Sequence, residues 1–183
     1  MSRKTAGILG LTVPILMMTA APARASDKSW DDASTVGAYG LTAAAIGIPL
    51  VRGDTQGALQ AVGSIGAAQA VTYGLKEAFP EWRPDRSDRK SFPSGHTSMA
   101  FAAASTIFNR EGKSFGIPAM AVATFVGVAR VEADKHHWYD VAMGAGIGMA
   151  SGFLITRNRP DKIAVVTPWG DTKGGGISLA MRF

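Results

Sequence analysis

Three short segments of this sequence carry the side chains that could do chemistry: KEAFPEWRP (76–84), PSGH (93–96) and RVEADKHHWYD (130–140). Together they supply three cationic side chains, histidines that lie far apart along the chain, and an aspartate. Fixed cations can neutralise the oxygens of a phosphoryl group, and a histidine oriented by a carboxylate can act as the nucleophile. The combination predicts the transfer of a phosphoryl group to a histidine.

The spacing within the third segment identifies a candidate nucleophile. His136 and Asp140 lie four residues apart, which is one helical turn, so the carboxylate can hold the imidazole in one tautomer and orientation. Taken alone, such a pair is more typical of an ion pair on a helix surface than of a catalytic pair. His137 is the competing candidate, but the residue four positions after it is Val141. We therefore expect His137 to have a packing or rim role.

Apolar segments rich in alanine and glycine must position these residues. They cover residues 35–51, 55–75, 97–109, 114–131 and 138–156. Their small side chains and the lack of alternating β-branched residues predict helices that approach one another closely. The three motifs fall at the ends of these segments, so antiparallel consecutive helices would bring all of them to one end of a bundle. The polar residues 26–34 are expected to precede the first helix.

The C-terminal tail has a different composition. Residues 163–167 are rich in β-branched side chains, 168–176 in turn formers, and 177–183 alternate in part, which predicts a short β-hairpin. The predicted fold class is therefore all-α, a helical bundle of about five core helices with a C-terminal hairpin tail. The predicted domains are a signal peptide at 1–25, a helical domain at 26–159 and the tail at 160–183.

The N-terminal residues indicate export. A basic start at residues 2–4 precedes an uncharged, mostly apolar run at 6–21, and Ala23-Arg24-Ala25 places small residues where a signal peptidase cleaves. This pattern predicts a secretory signal peptide cleaved after Ala25. An uncleaved membrane anchor is the alternative interpretation.

Composition excludes several classes of function. The 183-residue chain has no cysteine, which excludes disulfides, thiolate chemistry and cysteine-ligated zinc. Its net charge is +5, but no run of basic residues is interleaved with aromatic residues, so no nucleic-acid partner is expected. Basic residues expected at the opposite end of the bundle favour a cytosolic location for that end: Arg52, Arg110, Lys113, Arg157 and Arg159. A membrane-embedded and a soluble bundle both stay open, because 55–75 is long enough to span whereas 97–109 is short.

The three motifs together resemble the signatures of the type 2 phosphatidic acid phosphatase superfamily, which includes class A acid phosphatases, lipid phosphatases and vanadium haloperoxidases. The first signature, K-x6-RP, is complete with Lys76 and Arg83, and PSGH is complete at 93–96. The third, SR-x5-H-x3-D, begins at Arg130, but Ala129 replaces its leading serine. The resemblance covers residues 55–156.

This resemblance implies a role for each matching residue. His136 would be the nucleophile that becomes a phosphohistidine, Asp140 its orienting carboxylate, and His96 the acid that protonates the leaving oxygen and later assists water. The phosphate group would be bound by Lys76, Arg83, Ser94, Gly95 and Arg130. Ser94 could also cap the third helix. No metal or cofactor is expected, and vanadate should inhibit as a phosphate mimic.

The resemblance favours a phosphatase that acts on phosphomonoesters or diphosphates of lipids at the outer side of the cytoplasmic membrane. A soluble periplasmic acid phosphatase of broad specificity is the near alternative. A vanadium haloperoxidase and a non-enzymatic envelope protein that binds anions are further alternatives. The sequence specifies neither the substrate nor the oligomeric state. Residues 26–34 and the tail, which lie outside the signatures, are expected to influence specificity.

Overall fold

The computed structural model describes residues 26–158, 164–171 and 174–181, and these residues form five helices and one hairpin. The elements are α1 (Asp27–Val51), α2 (Thr55–Ala78), α3 (Gly95–Glu111), α4 (Lys113–Glu132), α5 (Trp138–Ile155), β1 (Ala164–Asp171) and β2 (Gly174–Met181). The predicted helical bundle with a hairpin tail is confirmed. The predicted signal peptide, residues 1–25, lies outside the described residues.

The central element is α3, which packs against all four other helices. These four form a ring around it in the order α1, α2, α5, α4. The buried surface of α3 is built largely from small side chains, including Ala100, Ala103 and Ala104, which are fully buried. Side chains of this size let four neighbours approach one helix closely. On α5, Gly144 lies so near that an added Cβ would be 2.6 Å from the Ser94 carbonyl oxygen.

The first helix begins eight residues earlier than the sequence analysis expected, so the prediction that residues 26–34 precede it is wrong. The Ser26 hydroxyl caps the helix by accepting a hydrogen bond from the Ser29 N–H at 3.2 Å. Asp27 places negative charge in the first turn, and Lys28 and Asp32 form an ion pair at 2.8 Å. A capping hydroxyl, an acidic first turn and a pair at four-residue spacing all stabilise a helix start, although the segment is polar.

The tail forms two antiparallel strands whose register runs from Ala164 opposite Met181 to Asp171 opposite Gly174. Both strands extend into residues 168–176, which the sequence analysis assigned to a turn. In a two-stranded hairpin each strand has one free edge, so Pro168, which has no N–H group, can be accommodated. The strands are consequently longer than predicted.

The end of the bundle opposite the three motifs holds ion pairs. Arg110 is buried and its guanidinium contacts Asp54, while Arg52 pairs with Glu111. Two of the basic residues predicted to mark a cytosolic end are thus neutralised by acidic partners. A third, Arg159, lies outside the described residues.

Candidate active site

One end of the bundle brings the three sequence motifs together, because α2 ends there, α3 begins there, and the α4–α5 connection crosses between them. Direct hydrogen bonds join the connections. The Ser94 N–H donates to the Asp140 carbonyl oxygen at 3.0 Å, and the Asp85 N–H donates to the Asp134 carbonyl oxygen at 3.1 Å. The candidate residues are therefore neighbours in space, although they are far apart in sequence.

His136 lies in the α4–α5 connection, with its side chain only 2% exposed. Its Nδ1 lies 3.6 Å from the Asp140 Oδ2, longer than a hydrogen bond, so their contact in this structure is electrostatic. Burial lowers the pKa of the His136 ring to about 4, against the opposing effect of Asp140. The nearby cations Arg130, Arg83 and Lys76 also favour the neutral ring. A neutral imidazole beside three cations has the protonation state that a nucleophile for phosphate requires.

His137 contacts Asp140 more closely than the sequence analysis expected. Its backbone N–H donates to the Asp140 Oδ2 at 2.8 Å, and its Nδ1 lies 3.3 Å from the same oxygen. His137 caps α5, so the carboxylate reaches it at a spacing of three residues. The expectation that His137 lacks this partner is wrong. The expected rim position agrees with a side chain that is 36% exposed and stacks on Tyr139.

Asp140 has a further partner that the sequence analysis missed. The Ser91 hydroxyl donates to the Asp140 Oδ2 at 2.6 Å, and both side chains are fully buried. The Asp140 Oδ1 is buried without a hydrogen-bond partner among the described residues. Burial raises the pKa of this carboxyl, but hydrogen bonds outweigh that effect and hold the pKa at about 2. Ser91 lies two residues before the PSGH motif, and this position next to the motif is the one sequence feature that indicates a place for Ser91 in the site.

Lys76 is held by the backbone around the PSGH motif. Its Nζ donates to the carbonyl oxygens of Lys90 at 2.6 Å, Ser91 at 3.3 Å and Pro93 at 2.6 Å. These contacts use all three donors of an ammonium group. In this structure Lys76 therefore stabilises the loop, and its positive charge acts on the site without a free N–H donor.

Arg83 lies in the α2–α3 connection and is paired within it. Its Nε donates to the Asp88 Oδ1 at 2.7 Å, and its Nη1 donates to the Lys135 carbonyl oxygen at 3.3 Å. The second contact links the connection that carries the first motif to the connection that carries His136. Arg83 is thereby placed next to the candidate nucleophile.

Arg130, at the C-terminal end of α4, is only 4% exposed. Its Nη1 donates to Asp31 and, at 3.1 Å, to the Ser34 hydroxyl, both on α1. The Arg130 Nε is buried and has no hydrogen-bond partner within the described part of the chain. One edge of the guanidinium is thus engaged by the protein, while a donor on another edge is unused.

His96, in the first turn of α3, also contacts α1. Its Nε2 lies 3.3 Å from the Thr35 hydroxyl, and the ring packs edge-on against Tyr39 with the ring centroids 6.4 Å apart. Burial and the positive charge of Arg130 lower the pKa of the His96 ring to about 4. The neutral ring would take up a proton more readily once an anionic phosphate is bound nearby.

The PSGH turn places Ser94 and Gly95 at the N-terminus of α3. The Ser94 hydroxyl is fully buried and lies 2.8 Å from the Thr97 hydroxyl, and it does not cap the helix. The Gly95 carbonyl oxygen accepts hydrogen bonds from Gln69 at 3.0 Å and from Ser98 at 3.1 Å. Because the first N–H groups of a helix lack helical acceptors, this turn is suited to bind an anion.

A group of potential metal ligands lies beside these residues. Glu81, His137 and Asp140 can each offer one ligand atom, and these atoms lie within 4.8 Å of one another. Each group already has a partner in the protein: Tyr139 donates to Glu81, and Asp140 accepts from Ser91. The donor set would suit zinc, but a cation would have to displace these hydrogen bonds.

Comparison with known proteins agrees with the motifs. The sequence model of the PAP2 superfamily matches residues 57–164. The chain is 39% identical over 83 residues to a lipid A 1-phosphatase of Porphyromonas gingivalis, a match that covers 43% of this chain and 18% of that protein. It is 32% identical over 114 residues to a lipid A 4'-phosphatase of Helicobacter pylori, covering 56% of this chain and 57% of the relative. The chain thus spans less than two thirds of either relative.

Two solved structures share the fold. The crystal structure of Aquifex aeolicus LpxE superposes with a TM-score of 0.61 at 22% identity, covering 70% of this chain and 83% of that one. The PAP2 type phosphatidylglycerolphosphate phosphatase from Bacillus subtilis superposes with a TM-score of 0.57 at 24% identity, covering 70% and 74%. At these identities the likeness establishes the helical fold.

Proposed function

The chain belongs to the PAP2 superfamily, and on that basis we propose that it removes a phosphate group from a phosphorylated lipid through a phosphohistidine on His136. One observation carries the proposal: a buried, neutral His136 lies beside an oriented carboxylate and among three cations. The relatives that match this chain are named lipid phosphatases, which supports a lipid as the substrate.

The proposed reaction has two steps that share one acid–base group. Because Nδ1 of His136 faces Asp140, Nε2 attacks the phosphorus, and the bond from phosphorus to the leaving oxygen breaks. His96, which takes up a proton when the anionic substrate binds, gives that proton to the leaving oxygen. It then takes a proton from the water that attacks the phosphohistidine, which releases inorganic phosphate and restores both rings.

The cations have different tasks in this proposal. Arg83 and Arg130 neutralise the oxygens of the transferring group, and the unused Nε donor of Arg130 supports its direct contact with phosphate. Lys76 acts mainly by holding the PSGH loop, because its donors already bind backbone carbonyls. Ser94 and Gly95 would contribute the helix N-terminus. None of these steps uses a metal ion.

The surface of the bundle supports membrane association. Two helices, α1 and α4, are long and apolar enough to cross a membrane. Only 28% of the apolar stretch of α1 and 39% of that of α4 is buried. Most residues of both stretches therefore lie on the outside of the bundle. Trp30, Trp82, Trp138 and Tyr139 belong to the end of the bundle that holds the site, where amphipathic rings suit a membrane–water interface. A lipid phosphate could then reach the site from the bilayer.

Export remains part of the proposal. A signal peptide at 1–25 would place the helical domain, residues 26–159, and the tail, residues 160–183, outside the cytosol. Extraction behaviour and substrate preference distinguish this proposal from a soluble acid phosphatase of broad specificity. The lipid enzyme should need detergent for extraction and should prefer phosphatidate to p-nitrophenyl phosphate, whereas the soluble enzyme would show neither property.

The decisive experiment compares adjacent histidines. His136→Ala should lower phosphate release from p-nitrophenyl phosphate and phosphatidate by at least about a hundredfold, because the nucleophile has no substitute. His137→Ala is the matched control and should keep most of the activity. A phosphate label trapped on the wild-type protein, stable to alkali and labile to acid, should be absent from His136→Ala. Comparable turnover in His136→Ala would refute the assignment.

A further inference from the structure

We propose that the first turns of α1 are part of the active site, with Asp31 and Thr35 acting as positioning residues for Arg130 and His96. This inference rests on the proposed function. It adds a segment that none of the motifs contains and that precedes the superfamily match at residues 57–164. Asp31, Ser34 and Thr35 lie on one face of α1, at spacings of three and four residues.

Asp31 fixes the orientation of the Arg130 guanidinium. Arg130 is almost fully buried, and Asp31 is the carboxylate that pairs with it within the described residues. Asp31 and Ser34 both engage Nη1, and Nε has no hydrogen-bond partner among the described residues. A guanidinium held at one nitrogen can present its remaining edge as a fork to a phosphate. The carboxylate also offsets the buried charge while no phosphate is bound.

Thr35 performs the corresponding task for His96, one helical turn after Asp31. Its hydroxyl can accept a hydrogen bond from the Nε2–H at 3.3 Å, which leaves Nδ1 to exchange a proton with the leaving oxygen. The hydroxyl therefore orients the ring and fixes the tautomer that this transfer requires. Because that proton goes to the leaving oxygen, Thr35 should matter most for substrates whose leaving oxygen needs protonation.

This dependence on the leaving group distinguishes positioning from structural support. A p-nitrophenolate departs without an acid, whereas the alkoxide of a lipid alcohol needs a proton. Thr35→Val should lower kcat on phosphatidate by about tenfold or more while changing kcat on p-nitrophenyl phosphate by less than about threefold, as expected for the loss of a hydrogen bond to a charged group. Thr35→Ser should restore activity on phosphatidate.

Replacing Asp31 should lower the turnover of both substrates, since Arg130 is proposed to bind the phosphate group that they share. Asp31→Ala should lower kcat/KM by about tenfold to a hundredfold on each, the range for one hydrogen bond between charged groups. Asp31→Asn keeps an acceptor of the same shape and should recover much of this loss. It also removes a negative charge beside the phosphate, so vanadate should inhibit Asp31→Asn at least as strongly as the wild type.

The chain provides matched controls on the same helix. Asp32 pairs only with the exposed Lys28 in the described structure, and the Thr42 hydroxyl donates to the Ala38 carbonyl oxygen. Asp32→Asn and Thr42→Val should keep wild-type kinetics. Melting temperatures measured on all variants in detergent show whether each one is folded.

The outcomes separate this inference from the function that it rests on. Wild-type turnover that is lost in His136→Ala establishes the proposed function first. If Asp31→Ala and Thr35→Val then match the wild type, α1 does not position the site. Equal losses of Thr35→Val on both substrates, with a lowered melting temperature, would also overturn the inference, because they indicate structural support alone.

Discussion

The hydrogen bond from Ser91 to Asp140 gives the sharpest test of how the site holds the proposed nucleophile, His136. Replacing Ser91 with alanine removes a hydroxyl that donates to the Asp140 Oδ2 at 2.6 Å in a fully buried environment. The same carboxylate faces His136 at 3.6 Å. Without the hydroxyl, the carboxylate can rotate away from the ring that it is proposed to orient.

The size of the effect follows from the contacts that the carboxylate keeps. A hydrogen bond to a charged group contributes about 1.5–3 kcal/mol. In Ser91→Ala the Oδ2 still accepts from the His137 N–H at 2.8 Å, so the carboxylate is not left without a donor. We therefore expect the lower part of this range, about 1.5–2 kcal/mol, which corresponds to a fall in kcat of roughly tenfold to thirtyfold.

The assay compares kcat for phosphate release from phosphatidate and from p-nitrophenyl phosphate in Ser91→Ala and a matched variant. Ser105 is also fully buried, but its hydroxyl has no hydrogen-bond partner in the described residues. Ser105→Ala should therefore leave kcat unchanged. Ser91→Thr, which retains a hydroxyl, should recover part of the lost activity. Wild-type kcat in folded Ser91→Ala would refute the view that this hydrogen bond orients Asp140 for catalysis.

Three further predictions follow from the same geometry. Because the pKa of His136 is lowered to about 4 from an ordinary value of 6.5, activity on p-nitrophenyl phosphate, whose leaving group needs no proton from His96, should stay high as the pH falls through 6.5 and decline only near about 4. As the pH falls, His136 is protonated in the unfolded chain before it is protonated in the folded chain, so the free energy of unfolding should decrease between pH 6.5 and about 4. A decline in activity centred near pH 6.5 would contradict the lowered pKa on which both expectations depend. Gly144→Ala should lower activity and cost about 1–3 kcal/mol of unfolding free energy, because its Cβ would press on the Ser94 carbonyl oxygen. Gly146→Ala, whose added Cβ would meet no described atom within 4 Å, is the control, and equal stabilities would count against the close approach. EDTA should leave turnover unchanged, and a loss that zinc restores would instead assign a catalytic metal to Glu81 and its neighbours.

Local sequence was sufficient to predict most of the fold. The apolar segments became the five helices, and their ends agree with the prediction to within a few residues except at the start of α1. There the polar composition of residues 26–34 hid a helix start that Ser26 caps. In the tail, the composition predicted the hairpin but not the length of its strands, because a free strand edge tolerates Pro168.

The candidate site was predictable as a set of residues but not as a set of contacts. The bounds of the apolar segments correctly placed the three motifs at helix ends, and antiparallel packing brought those ends together. Motif spacing carried no information on Ser91, whose partner Asp140 is 49 residues away, or on Asp31, which is 99 residues from Arg130. It also suggested a phosphate contact for Lys76, whose donors instead bind the loop in this structure.

The sequence by itself determined the superfamily, the helical architecture and the chemical groups available for the proposed phosphoryl transfer, because each depends on residue type and short-range spacing. Only the tertiary structure decided which donor meets which acceptor: that His137 also contacts Asp140, that α1 contacts Arg130 and His96, and that Nε of Arg130 has no partner in the part of the chain that the structure describes. These choices depend on how closely the helices approach and how they are rotated about α3. That geometry is set by packing across the whole core and is not encoded in the spacing of any single motif.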